Sequence, residues 1–172
     1  MTHVDRGQFT ECTPLGDAAH HLDEINAILD HIPFFEGLDK SDLLDIARHM
    51  RCYRAAAGHE LIREGESGEY VLLLLAGKIE IVKRNSAGIP QRIGVVVAGE
   101  TLGEMSLIDG EPRFASCVSV DEVMFAVLDR QGLTHIAENE PQLGIKILST
   151  LLRLLNRRLR ETGRQLVTAL AR

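Results

Sequence analysis

A short segment in the second half of the chain combines a carboxylate, a guanidinium and several small residues. It runs from Leu102 to Ser116, with Glu104 near its start and Arg113 near its end. A Glu side chain accepts hydrogen bonds from vicinal hydroxyls, and an Arg side chain directs two donors onto a phosphate. Small residues let an anion approach backbone N–H groups at the start of a short helix. The segment therefore predicts a site for a ligand that carries both a sugar diol and a phosphate.

The same segment resembles the phosphate-binding cassette of cyclic nucleotide-binding domains, the family that includes the catabolite activator protein and protein kinase A regulatory subunits. The matching residues in the cassette are Gly103-Glu104, Leu107, Pro112-Arg113 and Ala115. Upstream matches are Pro33-Phe34-Phe35-Glu36-Gly37-Leu38, Gly58, Ile62, Glu64-Gly65-Glu66 and Ala76-Gly77-Lys78. The resemblance covers most of the chain and implies a β-roll that binds a cyclic nucleotide.

This resemblance also implies a role for individual cassette residues. Arg113 would neutralise the cyclic phosphate, and Glu104 would accept a hydrogen bond from the ribose 2′-hydroxyl. Glu104 also has a structural interpretation, since a carboxylate stabilises the N-terminus of a helix. The other cassette residues predicted to contact the ligand are Gly103, Met105, Ser106 and Ala115.

Phe114 departs from the family pattern, which has a small residue after the arginine. Its ring would either stack on the nucleobase or belong to the core. Leu73 and Val95 are predicted walls of the base pocket, although core strands need the same residue types. On the C-terminal helix, we predict a lid contact to the base or, alternatively, a solvated helix face. The candidate lid residues are Arg153, Asn156 and Arg157.

The periodicity of the apolar residues predicts an α+β fold with a jelly-roll-like β-roll, N-terminal helices and a C-terminal helix pair. Short apolar runs between Gly-rich turns predict strands from about residue 50 to 128. Residues 1–18 are predicted to be a flexible arm, and residues 131–172 to form lid or dimerisation helices. The helical entry and the β-roll would occupy residues 19–130. Predicted strands are His59–Arg63, Tyr70–Leu75, Lys78–Arg84, Gln91–Val97, Ala115–Val120 and Val123–Leu128.

The C-terminal helix carries an apolar seam with alternating spacings of four and three residues. This seam consists of Leu148, Leu152, Leu155, Leu159, Thr162, Leu166 and Ala169. A stripe of three heptads is longer than one small domain can cover, which favours a homodimeric helix pair. A lid that folds back within one subunit is the alternative.

Composition argues against several classes of protein. The 172 residues have a net charge of −6, three widely spaced cysteines and no motif typical of a metal site. No apolar run is long enough for a membrane span, and no secretory signal is visible, so we expect a cytoplasmic protein. No nucleophile elbow, phosphate-binding lysine loop or zinc-protease motif occurs, so we expect no enzyme activity and no cofactor. The arginines of the C-terminal helix are the only feature that favours nucleic acid, which we expect to be an unlikely partner.

The combined prediction is a stand-alone cyclic nucleotide receptor that signals to an effector protein by repositioning its C-terminal helix. Cyclic AMP is favoured over cyclic GMP as the ligand. Two alternatives remain at this point. One is an interaction module of the same fold that has lost its ligand, which Phe114 favours. The other is the sensory half of a transcription regulator without its DNA-binding domain.

Overall fold

The computed structural model describes residues 9–21, 23, 25 and 37–171. Within these ranges the chain forms nine strands, a short 3₁₀ helix and four α-helices. The strands are β1 (Thr13–Asp17), β2 (Arg51–Ala55), β3 (Glu60–Ile62), β4 (Tyr70–Ala76), β5 (Lys78–Arg84), β6 (Pro90–Val97), β7 (Thr101–Leu102), β8 (Ser116–Ser119) and β9 (Val123–Asp129). The helices are the 3₁₀ helix Ala18–His21, α1 (Lys40–Arg48), α2 (Glu104–Asp109), α3 (Arg130–Asn139) and α4 (Pro141–Leu170).

The strands form two antiparallel sheets that face each other. One sheet has the order β1-β2-β9-β4-β7, and the other has the order β3-β8-β5-β6. The inner faces of both sheets enclose one apolar cluster, which includes Leu72, Leu74, Ile79 and Phe125. This arrangement is the predicted β-roll, and it confirms the predicted fold class.

A second apolar cluster lies between the outer face of the five-stranded sheet and the helices. Leu73 of β4 packs there with Ile46 of α1, Ile136 of α3 and Ile147 of α4. Since successive residues of a strand point to opposite faces, β4 supplies alternate leucines to the two clusters. This explains why the run from Val71 to Leu75 is apolar throughout.

Local sequence signals explain where several elements begin. Asp39 caps α1, and its carboxylate accepts hydrogen bonds from the backbone N–H groups of Ser41 and Asp42. Pro141 occupies the first turn of α4, where its missing N–H leaves no helical hydrogen bond unmade. The six predicted strands are all present, with ends shifted by at most two residues.

The N-terminal segment corrects the prediction of a flexible arm over residues 1–18. Residues Thr13–Asp17 form β1, which pairs with β2 and has a register shift between Pro14 and Gly16. The sequence pattern hid this strand because proline and glycine normally mark turns. Residues 1–8 lie outside the described residues, as do most of residues 22–36, which belong to the predicted helical entry and include most of the segment Pro33–Leu38.

Helix α4 continues to Leu170, and Gly163 does not interrupt it. Its last fully buried side chain is Leu151. Beyond that point large apolar side chains face solvent, including Leu152, Leu159 and Leu166. Among the described residues, no helix combines the length and apolar character that crossing a membrane requires.

Candidate functional site

Gly103 connects β7 to α2 and allows the chain to turn beside Arg113. Its φ of +83° lies in the left-handed region, where a Cβ atom is strained. A Cβ at this position would also clash with the Arg113 guanidinium and lie 2.9 Å from the carbonyl oxygen of Tyr70. Only glycine satisfies both constraints. With glycine at this position, α2 can begin in direct contact with the Arg113 guanidinium.

The guanidinium of Arg113 is buried and held by the backbone of two neighbouring elements. Its Nη1 donates to the carbonyl oxygen of Gly103 at 2.8 Å, and its Nη2 donates to that of Tyr70 at 3.0 Å. The guanidinium carbon also lies 4.1 Å from the centre of the Tyr70 ring. Among the described residues, nothing accepts a hydrogen bond from Arg113 Nε, although that atom is buried.

The backbone of Arg113 is fixed as firmly as its side chain. Its N–H donates to the carbonyl oxygen of Glu66, and its own carbonyl oxygen accepts from the N–H of Gly65, both at 2.8 Å. These bonds join the cassette to the loop between β3 and β4. The arginine is therefore pre-organised, because neither backbone nor side chain is free to turn away.

Glu104 opens α2 and is almost completely buried, with 1% of its surface exposed. One carboxylate oxygen, Oε1, accepts a hydrogen bond from Nη1 of Arg158 on α4. The same arginine donates through Nη2 to the carbonyl oxygen of Thr101. The other carboxylate oxygen, Oε2, is buried and has no hydrogen-bond partner among the described residues.

A cavity of about 90 Å³ lies between these groups. Apolar side chains from both sheets form its deep wall, and burial raises the pKa of the Cys117 thiol there to about 12. That thiol is therefore neutral at physiological pH. The cavity is lined by Ile62, Ile81, Leu102, Gly103, Glu104, Met105, Ser106, Arg113, Phe114, Ala115, Cys117 and Arg158.

The structure brings the predicted cassette residues together around this cavity. All seven line it: Gly103, Glu104, Met105, Ser106, Arg113, Phe114 and Ala115. Phe114 is 56% exposed, so the interpretation of this residue as core is wrong. Phe114 lines the cavity, and its ring centre lies 4.6 Å from the ammonium of Lys83.

Leu73 and Val95 are not among the residues that line the cavity, which corrects their predicted role as walls. Leu73 points into the cluster under the helices, because it has the opposite orientation to Leu72 and Leu74. Val95 pairs with Glu80 on the outer face of the four-stranded sheet and is half exposed. Ile62 and Ile81 occupy the wall positions instead.

The contact from α4 comes from Arg158 and from none of the three predicted lid residues. Arg153 donates to the hydroxyl of Thr150 at 2.9 Å, one turn back along the helix. Asn156 and Arg157 are exposed and do not line the cavity. Helical spacing contains the missed signal, since Arg158 follows the buried Leu151 by seven residues and so shares its face.

The arrangement presents complementary groups to a polar ligand. Within the part of the chain that the structure describes, Arg113 Nε is a donor without an acceptor, and Glu104 Oε2 is an acceptor without a donor. The first N–H groups of α2 also lack intrahelical acceptors, as at any helix start. A phosphate oxygen matches the donor, and a hydroxyl matches the carboxylate.

Comparison with known proteins agrees with this chemistry. The model of the cyclic nucleotide-binding domain family matches residues 53–140, about half of the chain. A CRP-like cAMP-activated global transcriptional regulator of Mycobacterium tuberculosis is 28% identical over 142 residues. That alignment covers 83% of this chain and 62% of the regulator, so the chain spans about three fifths of the length of that relative.

Solved structures show the same fold. A cyclic nucleotide-binding domain from Methylobacillus flagellatus is 36% identical, with a TM-score of 0.87 over 96% of this chain and 93% of that domain. The regulatory domain of Toxoplasma gondii protein kinase A, co-crystallised with cAMP, is 28% identical with a TM-score of 0.61. That match covers 68% of this chain and 44% of that regulatory-domain chain. Sequence, fold and site geometry together show that the chain belongs to the cyclic nucleotide-binding domain family.

Proposed function

We propose that this chain is a cyclic nucleotide receptor that prefers cyclic AMP to cyclic GMP. The observation that carries the proposal is that Arg113 and Glu104 line one cavity and that each has a buried side-chain atom, Nε and Oε2, without a hydrogen-bond partner among the described residues. A buried polar group without a hydrogen-bond partner costs about 1–3 kcal/mol, and more if it is charged. A ligand with a phosphate and a hydroxyl would offer a partner to both residues.

Each ligand group has a complementary protein group. The cyclic phosphate would accept hydrogen bonds from Arg113 Nε and from the backbone N–H groups at the start of α2. The ribose 2′-hydroxyl would donate to Glu104 Oε2. The base would lie toward Ile62, Ile81 and the exposed ring of Phe114, where stacking is available to either purine.

The preference for cyclic AMP is supported by two relatives. The Mycobacterium regulator is described as cAMP-activated, and the Toxoplasma regulatory domain was crystallised with cAMP. We propose that binding repositions α4, which contacts the site through Arg158, and that an effector protein responds to this movement. We further propose that two copies pair through the exposed apolar stripe of α4.

A second candidate function has one observation in its favour. Arg158 already occupies one oxygen of Glu104, and the cavity has only about 90 Å³ of space. An interaction module that no longer binds a nucleotide would have the same appearance. The two functions differ in whether the cavity can widen enough to admit a cyclic nucleotide.

Isothermal titration calorimetry with cyclic AMP and cyclic GMP separates these candidates. We expect cyclic AMP to bind with a Kd of about 10 µM or tighter, equivalent to about −7 kcal/mol, and cyclic GMP to bind more weakly. Linear 5′-AMP is the matched control, because it has the same base and ribose without the cyclic phosphate. Absence of heat with both cyclic nucleotides at high micromolar concentration would favour the interaction module.

A further inference from the structure

Phe114 places an aromatic ring where the family pattern has a small residue, so its surroundings are specific to this chain. The residue lines the cavity and is 56% exposed. An exposed side chain normally changes rotamer within nanoseconds, and fixing it when a ligand binds costs free energy. The contacts that already hold this ring therefore affect what it can contribute to binding.

Lys83 of β5 holds Phe114 through both its side chain and its backbone. The Lys83 ammonium lies 4.6 Å from the centre of the Phe114 ring, a cation–π contact. The same ammonium donates a hydrogen bond to the Phe114 carbonyl oxygen at 2.7 Å. Lys83 is not among the residues that line the cavity, so these contacts fix the ring without filling the space beside it.

Glu64 in turn fixes Lys83. Its Oε1 accepts a hydrogen bond from Lys83 Nζ at 2.7 Å, and its Oε2 accepts one from the backbone N–H of Arg84 at 3.0 Å. These two bonds hold the pKa of the Glu64 carboxyl below its usual value, so the ion pair is intact at neutral pH. The backbone N–H of Glu64 also donates to the hydroxyl of Ser116, two residues after Phe114. The lysine is therefore anchored before it contacts the ring.

We propose that Lys83 is a positioning residue that holds the Phe114 ring as a platform for the nucleobase. This inference rests on the proposed function. The ammonium contacts one face of the ring, and the exposure of the residue leaves the other face open for stacking. A purine offers a larger aromatic surface than a pyrimidine, so a fixed ring favours purine nucleotides. Because the ring is ordered before the ligand arrives, less of the stacking free energy is lost to ordering.

The chain offers a matched control for the test. Lys83→Met removes the ammonium and keeps most of the side-chain volume, and Lys83→Arg restores a cation that can donate hydrogen bonds and lie over a ring. Lys78→Met is the control, because Lys78 is an exposed lysine on the same strand and its loss changes the net charge equally. A positioning role predicts loss in Lys83→Met, rescue in Lys83→Arg and no effect in Lys78→Met.

A fluorescence measurement without nucleotide tests the positioning separately from the proposed function. The chain contains no tryptophan, so Phe114→Trp introduces a single fluorophore at the platform. In this background we expect Lys83→Met to increase the amplitude of sub-nanosecond motion, measured by time-resolved anisotropy, by about twofold. We expect Lys83→Arg and Lys78→Met to leave that amplitude unchanged. Equal amplitudes with and without the Lys83 ammonium overturn the positioning role.

Calorimetric titration with cyclic AMP and cyclic CMP tests the platform, because these nucleotides share the ribose and the cyclic phosphate and differ in the base. We expect Lys83→Met to raise the Kd of cyclic AMP about fivefold, the lower end of what loss of base stacking costs, and to change the Kd of cyclic CMP by less than about twofold. Equal losses for both nucleotides, or no loss for either, overturn the platform. Absence of binding to the wild-type chain refutes the proposed function itself.

Discussion

Arg113 shows how a buried charge can be both stable and available to a ligand. Two carbonyl oxygens and the face of Tyr70 compensate for the burial of its guanidinium. These partners use Nη1 and Nη2 and leave Nε without an acceptor among the described residues. The protein therefore orients the arginine before any ligand arrives, which lowers the entropic cost of binding.

Replacing Arg113 with lysine tests whether the planar guanidinium, with its several N–H donors, is needed at this position. Lysine keeps the charge, but its single ammonium cannot reach both carbonyl oxygens and a phosphate in the planar geometry of a guanidinium. We expect Arg113→Lys to weaken cyclic AMP binding by about tenfold or more and to lower the free energy of unfolding by about 1–3 kcal/mol.

Calorimetry and urea unfolding measure these two effects. Arg92→Lys is the control, since Arg92 is an exposed arginine that pairs with Glu80 on the outer face of the sheet. Nucleotide affinity of Arg113→Lys equal to that of wild type would show that the guanidinium does not contact the phosphate.

Among the elements, six strands of the β-roll were predicted from the sequence, and β1, β2 and β7 were not. Turn residues, many of them glycines, separate the predicted strands, so their ends follow from the sequence. Strand β1 contains Pro14 and Gly16, which resemble a loop, and β7 has only two residues. Pairing with β2 and β4 stabilises these two strands, and such long-range pairing has no local signal.

The orientation of side chains on the strands was harder to predict. Val71–Leu75 is apolar on both faces, so alternation cannot show which leucines face the cavity. The assignment of Leu73 to the base pocket failed for this reason. The cassette residues all line one cavity, as their short sequence separation predicts, and their contact with a ligand stays a prediction. Charge within a turn-rich segment indicates chemistry more directly than apolar residues do.

Helix α4 is about 45 Å long, yet only its first third is buried. The exposed part carries Leu152, Leu159 and Leu166 on the predicted seam. Exposed apolar stripes of this kind are typical of helices that pair with a partner. This exposure supports the proposed homodimer.

Substitution on the seam tests the proposed dimer. We expect the wild-type chain to sediment as a dimer and the double variant Leu159→Glu, Leu166→Glu to sediment as a monomer, because two carboxylates cannot be buried in an apolar helix pair. Arg157→Glu is the control, since heptad spacing places Arg157 on the opposite face of the helix. Sedimentation velocity measures the mass of each species. A monomeric wild-type chain, or a dimer that persists in the double variant, would contradict the proposed pairing.

In the whole molecule, α4 connects the helical layer to the ligand cavity. Its first turns pack in the cluster beneath α1 and α3, and Lys146 forms an ion pair with Asp42 of α1 at 2.6 Å. Further along, Arg158 contacts Glu104 and Thr101 in the cassette. One rigid helix thus contacts the site, the helical layer and the proposed dimer surface. A change at the cavity therefore has a direct structural route to a partner.

In the proposed complex, Glu104 accepts a hydrogen bond from the ribose of the bound cyclic nucleotide. A thermodynamic cycle isolates this contact by titrating cyclic AMP and its 2′-deoxy analogue into the wild-type chain and into Glu104→Ala. Because a hydrogen bond to a charged group contributes about 1.5–3 kcal/mol, removing the hydroxyl should weaken binding to the wild type by about tenfold or more. We expect the two nucleotides to bind Glu104→Ala equally. The same loss of affinity in both proteins, or no binding of cyclic AMP to the wild type, would contradict it.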